Sequence, residues 1–126
     1  MASRERVEVR RAPVPGGRPG SELAVVSVDA EDVGRFWLVR HDGVLELSGL
    51  ELVPAWRSRG VGAAVLRDLV AEARSTGLRL ELEVEPDNHR ARRFYEREGL
   101  RRVEGRGSSC LRYASTGPGP ETPVRR

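Results

Sequence analysis

The sequence predicts an α/β fold: one domain built on a mixed, mostly antiparallel sheet. Three observations carry that expectation. β-prone runs with turn residues between them fill the first half of the chain. At Gly60 the apolar spacing lengthens to that of a helix. It then returns to a strand, a second helix and two short strands, so the core reads β-α-β-α-β. Strands on either side of a single helix must run parallel, joined by a right-handed crossover. At 126 residues the chain is of single-domain length, and residues 1–116 are expected to form that domain.

Taken in order, the N-terminal segment 1–21 is expected to be largely irregular. Its "ERVEVRR" alternates weakly and is a candidate strand, whereas "APVPGGRPG" is too rich in Pro and Gly for regular structure. "SELAVVSV" is a strongly β-prone run, and "DAEDVG" reads as the turn after it. "RFWLVRH" follows as a strand closed by Asp42-Gly43, a strong hairpin signal. "VLELSGLELVP" is a longer strand ending at Pro54, which completes an antiparallel meander.

Val61, Ala64, Val65, Leu69 and Ala73 then recur at helical spacing, with Gly77 placed to cap the helix end. "LRLELEV" has period two, with Leu78, Leu80, Leu82 and Val84 on one face. Asp87 or Asn88 can cap the next helix, "HRARRFYERE", which Gly99 closes. "LRRVEG" and "CLRYAS" are the last strands. The tail 117–126 holds a single hydrophobe, Val124, and is expected to be disordered.

Composition removes several classes. No apolar run approaches the ~18 residues of a membrane span, so no membrane role is expected. Cys110 is the one cysteine and the two histidines lie far apart, so neither a disulfide nor a metal site is expected. The setting expected is cytoplasmic. Every basic residue is arginine, yet Asp and Glu are interleaved throughout, which argues against a nucleic-acid partner.

The stretch "PAWRSRGVGAAVLRDLV" is the chemical feature of the chain. Glycine and dense positive charge directly precede a helix, where unpaired N–H groups and the helix dipole favour an anion. Gly60 and Gly62 let the backbone approach closely, and Arg57 and Arg59 add charge, so the ligand expected is a phosphate or pyrophosphate. A Walker-type loop fails, because the chain has no lysine. The dinucleotide fingerprint fails because Val65 stands where its third Gly or Ala belongs. The pyrophosphate loop of an acyl-coenzyme A binder is left.

At this point the sequence resembles the GNAT superfamily of N-acyltransferases. "RSRGVG" fits its Q/R-x-x-G-x-G/A motif, and "LELVP" is similar to the fourth strand that precedes it. "NHRARRFYEREGL" fits N-x-x-A-x-x-F/L-Y-x-x-x-G-F/L through Asn88, Ala91, Phe94, Tyr95, Gly99 and Leu100. The likeness runs from about residue 22 to 113. It implies a sheet-and-helix fold that binds acetyl-CoA and passes the acetyl group to a primary amine. By resemblance, Leu50 and Leu52 face the pantetheine arm and the amides from Arg59 through Gly60, Val61 and Gly62 to Ala63 hold the pyrophosphate. Asn88 meets the pantetheine, and Tyr95 protonates the leaving thiolate. Glu46 is the base implied, with Glu51 and Glu83 as alternatives. Strand periodicity places Glu46, Ser48, Leu50 and Leu52 on one face. Gly49, a glycine inside a strand, is a candidate bulge or point of close ligand approach, and the resemblance implies that a bulge there opens the cofactor cleft.

One departure stands out. Family members usually carry two helices between their first two strands, and those helices wall the acceptor site. Here only "APVPGGRPG" fills that interval. Either the acceptor groove is open, or a second subunit closes it, as in a homodimer.

Overall fold

A computed structural model describes residues 6–105 and 107–116. Ten elements follow one another. Four strands come first: β1 (Val7–Pro13), β2 (Ser21–Val28), β3 (Glu31–His41) and β4 (Val44–Leu52). A short 3₁₀ turn (Pro54–Trp56) leads to α1 (Val61–Ser75) and β5 (Arg79–Val84). Then come α2 (His89–Arg97), β6 (Arg101–Val103) and β7 (Leu111–Ala114). The strands form one seven-stranded sheet in the order β1-β2-β3-β4-β5-β7-β6. Only β4 and β5 pair in parallel; every other neighbour is antiparallel.

Two expectations are corrected. The N-terminal segment is not largely irregular: β1 pairs with β2 from Val7↔Val28 to Pro13↔Glu22, leaving residues 14–20 as the hairpin loop. Pairing partners, rather than the weak alternation of its own sequence, make this stretch a strand. The turn after β2 is also shorter than "DAEDVG". Asp29 and Ala30 alone reverse the chain, both at positive φ, and Glu31, Asp32 and Gly34 already pair with β2, with Val33 the extra residue of a bulge. The proposed disorder of 117–126 lies outside the described residues.

The core is one-sided. Cross-strand partners share a face, so Ala24, Phe36, Leu38, Leu45, Leu47, Leu80, Leu82 and Tyr113 point the same way. Onto that face α1 presents Val61, Val65, Leu66, Leu69 and Ala73, all buried. Each of the larger side chains contributes about 1.5–3 kcal/mol on burial. Leu78 N–H bonds Ala73 O at 2.8 Å and Gly77 N–H bonds Arg74 O at 3.3 Å, the paired bonds that stop the helix and turn the chain into β5. α2 lies beside α1 on the same face. Arg67 of α1 grips Glu98 at 2.9 Å, and the Tyr95 ring sits 6.5 Å from that of Tyr113. The other face, with Leu23, Val25, Trp37, Val39, Glu46 and Glu83, carries no helix among the described residues.

Candidate active site

The site begins where two parallel strands part. β4 pairs with β5 only through residues 44–47 and 79–82. Beyond Leu47 the chain bulges: Arg35 faces Glu51 and Trp37 faces Ser48, so Gly49 and Leu50 together oppose the single residue Phe36. Gly49 has φ +64, and a Cβ there would stand 2.8 Å from Trp37 Cδ1, so glycine is required on both counts. The extra residue also inverts the alternation. Leu50 and Leu52 turn to the helix side, where Leu52 Cδ1 approaches Gly62, while Glu46 and Ser48 remain on the other face. The expectation that all four share one face is therefore overturned, because the bulge breaks the period of two.

The parted strands lead into a cavity of about 780 Å³ on the helix side. Leu50, Leu52, Gly60, Gly62, Asn88 and Tyr95 are among its walls. Gly60 caps α1 from a left-handed conformation, no side chain caps the helix, and no acid stands in its first turn. The N–H groups of Val61, Gly62 and Ala63 thus have no acceptor within the helix. A Cβ on Gly60 would meet nothing within 4 Å, so the approach to them is open. An uncapped, acid-free, open helix start suits a pyrophosphate.

The two loop arginines divide. Arg57 lines the cavity, its Nε–H donating to Leu52 O at 3.1 Å. Arg59 lies instead with its guanidinium 4.0 Å from the centre of the Trp56 ring and donates to Ala55 O. Val61 buries its side chain in the core and offers the site only its backbone.

On α2, Asn88 accepts from Ala91 N–H at 3.2 Å as the helix cap. That bond uses its oxygen and leaves the amide NH₂ toward the cavity it lines. Tyr95, two turns on, lines the same cavity beside Phe94 at 5.1 Å between centroids. Burial pushes its phenol above the ordinary value, and its hydroxyl has no hydrogen-bond partner among the described residues.

Glu46 sits apart from that cavity, on the uncovered face, one residue before the last β4–β5 pair. Its Oε1 lies 2.7 Å from His41 Nε2, and Arg112 Nη1 donates to Oε2 at 3.3 Å. Burial alone would push its pKa up toward the neutral form, but the bonds from Arg112 and His41 outweigh this and hold the carboxyl below its usual range. Arg112, 3% exposed, also donates to Glu81 at 2.6 Å and Glu83 at 3.1 Å. Glu83 shares this face beside the gap, whereas Glu51 stands on the far side of the bulge, near Arg35.

Residues 12–100 match the acetyltransferase (GNAT) family. The chain belongs to the GNAT acetyltransferase family. An uncharacterized N-acetyltransferase of Mycobacterium bovis is 39% identical over 85 residues, 66% of this chain and 54% of its own length. The chain therefore spans about half the length of the curated relatives it matches. Among solved structures, an IAA acetyltransferase from Bacillus cereus superposes with a TM-score of 0.68 at 16% identity, covering 87% of this chain and 99% of that one. A GNAT family acetyltransferase from Elizabethkingia anophelis with acetyl-CoA bound gives 0.68 at 12% identity, covering 86% and 97%. These neighbours share the fold.

Within this GNAT domain, the structure gathers Leu50, Leu52, Arg57, Gly60, Gly62, Ala63, Asn88 and Tyr95 around one cavity. It leaves the Arg59 side chain and Glu46 outside. The interval between β1 and β2 is a direct hairpin, as the missing helical sequence implies. Sequence reasoning missed Arg112 and His41, the partners that hold Glu46; one arginine among so many carries no local signal. It also missed Arg90 and Arg93 on the cavity wall, although their spacing of three on a cavity-lining helix was visible. Cys110, expected in a final strand, lies in the bend before β7 with Sγ 3.5 Å from Glu85. Among the described residues no group of three or more His, Cys, Asp or Glu could hold a metal, and no helix is long and apolar enough to cross a membrane.

Proposed function

We propose that the domain is an acetyl-CoA-dependent N-acetyltransferase that acts on a primary amine in the cytoplasm, by direct transfer and without a metal. One observation carries the proposal: the uncapped start of α1, the two β4 leucines and Tyr95 wall a single cavity at the gap between β4 and β5. Acetyl-CoA supplies an activated acetyl group as a thioester. The α1 amides and Arg57 hold its pyrophosphate, and the Asn88 amide bonds the pantetheine arm.

Two proton problems remain for this chain to solve. An alkyl ammonium of pKa ~10.4 is neutral less than ~0.1% of the time at pH 7. Glu46, a carboxylate at that pH, takes the amine proton through an intervening water from the uncovered face. The amine nitrogen bonds the acetyl carbon and the carbon–sulfur bond breaks. Tyr95, kept protonated by burial, gives its proton to the departing sulfur and recovers one from solvent.

The test is a thiol-release assay with acetyl-CoA and a panel of amines, beside calorimetric titration of the wild type and a Gly60→Asp, Gly62→Asp double variant. Binding that the variant loses, with turnover of at least one amine, supports the proposal. Absence of binding by the folded wild type refutes it. A second reading, a non-catalytic acyl-CoA-binding module, is favoured by the uncovered sheet face and the short β1–β2 hairpin. It predicts binding without turnover. A homodimer that covers this face would reconcile the hairpin with catalysis, and a monomeric or a dimeric mass in analytical ultracentrifugation decides it.

A further inference from the structure

The uncovered face of the sheet carries an apolar row that the core does not use. Ala12, Leu23 and Trp37 are successive cross-strand partners on β1, β2 and β3, and Trp37 pairs with Ser48 on β4. Val25 and Val39 flank the row on the same face, two residues along β2 and β3. Leu23, Val25, Trp37 and Val39 neither join the buried core nor pack against it, because no helix among the described residues lies on this side. Trp37 is 38% exposed, and no other aromatic side chain among the described residues is as open.

The indole is fixed at the inner end of that row. Its Cδ1 and Nε1 would stand 2.8 Å and 3.3 Å from a Cβ on Gly49, so the ring lies against the bulge, beside the point where β4 and β5 part. No guanidinium stacks on it among the described residues: Arg59 takes Trp56, Arg97 takes Phe94, and Arg35 leans to Glu51. The same end of the row meets an acidic cluster. Val39 pairs with Glu46, and Glu46 with Glu81. Glu46, Glu81 and Glu83 stand against Arg112 and Arg79, so three carboxylates face two guanidiniums and one negative charge is left over with His41 neutral.

A monocation on an apolar stem complements this arrangement. Its ammonium group goes to the carboxylates at the gap, and its stem lies across the indole, whose face also attracts a cation. From Ser48 to Ala12 the row spans three inter-strand steps, ~14 Å, which is room for a long stem. We propose that Trp37, with Leu23 beyond it, is the acceptor platform of this domain and selects primary amines carried on an unbranched apolar stem. The inference deepens the acetyltransferase reading and rests on it.

Rates of thiol release from acetyl-CoA with ethylamine, butylamine, hexylamine and octylamine test it in the wild type, Trp37→Ala and Leu23→Ser. Full burial of a methylene is worth about fourfold, so a stem on one open face should gain about twofold per methylene in kcat/KM, or more than about tenfold from butylamine to octylamine. Trp37→Ala should cut that gain to less than about threefold by raising KM for the longer amines, with ethylamine changed by less than about twofold. Leu23→Ser lies away from the bulge, so its calorimetric Kd for acetyl-CoA should be unchanged; it should cost octylamine and spare butylamine. This second variant keeps the test sound should Trp37→Ala disturb Gly49. Turnover indifferent to stem length, or a gain that survives both substitutions, would overturn the platform and leave the acetyltransferase reading standing. So would a dimeric mass in analytical ultracentrifugation that both substitutions reduce to a monomer, since a second copy would then occupy the row. If the folded wild type acetylates no amine, that reading falls and the platform with it.

Discussion

Arg112→Met removes the centre of the ion-pair cluster on the uncovered face, and its cost can be worked from the contacts. Arg112 is 3% exposed and Glu81 1% exposed, with Nε–H to Oε1 at 2.6 Å. Breaking a buried pair from one side costs about 3–5 kcal/mol, because the surviving charge is left short of partners. Glu81 keeps Arg79 Nε at 2.7 Å and Glu46 keeps His41, so the lower end, about 3 kcal/mol, is expected. For a domain of this length that lowers Tm by about 12 °C. The loss also depends on pH. Burial raises the Glu81 carboxyl, but hydrogen bonds from Arg112 and Arg79 bring it below its ordinary 4.5. A depressed carboxyl stabilises the fold above the unfolded value and loses that contribution as pH falls through the folded one. Without Arg112 the burial effect gains weight, and acid relieves the variant while it weakens the wild type. Urea denaturation at pH 7 and pH 4 should therefore show the gap narrowing. A loss below about 1 kcal/mol at pH 7, or a gap indifferent to pH, would refute the reasoning.

Three further outcomes are expected. Tyr95→Phe should lower kcat by about 10²-fold or more while the calorimetric Kd for acetyl-CoA stays within twofold; in the wild type the alkaline limb assigned to this phenol should fall above pH 10, since burial raises it. Glu46→Gln should lower kcat by a similar ~10²-fold in the thiol-release assay, and a larger loss in Glu83→Gln would move the base to β5. Gly49→Ala forces a side chain into the left-handed region and against Trp37, so it should cost about 1–2 kcal/mol in urea denaturation and weaken coenzyme A binding, because the bulge that aims Leu50 and Leu52 is disturbed.

What the sequence discloses here is local, and what it conceals is pairing. Asp42-Gly43 makes its hairpin because both residues take positive φ, a preference written in the residues themselves. The buried stripe of α1 and its stop at Gly77 follow from spacing and a cap. The glycine loop and Asn88 are legible for the same reason. β1 is concealed because its strand state comes from β2 and from Arg11, which reaches Glu72 sixty-one residues away. Gly49 can be flagged as a bulge from its own strand, yet its consequence, the reversal of Leu50 and Leu52, depends on the register against Phe36. The Arg112 cluster joins residues 29 to 66 positions apart, beyond the range of any local pattern.

The bulge has a chemical consequence for the proposed reaction. It sends Leu50 and Leu52 toward the helices and leaves Glu46 and Ser48 behind, so the candidate acid and the candidate base stand on opposite faces of the sheet. Tyr95 can serve the sulfur only from the cavity, and Glu46 can serve an amine only from the uncovered face. The two chemistries meet where β4 and β5 stop pairing after Leu47 and Leu82. On this reading the acceptor never passes the glycine loop, and its size is limited by the uncovered face alone. With residues 14–20 as a hairpin rather than a helical wall, that face should admit amines on bulky carriers as readily as small ones. Comparable kcat/KM values for a free amine and the same amine on a peptide would bear this out, whereas a strong preference for the small acceptor would mean that the face is covered in solution.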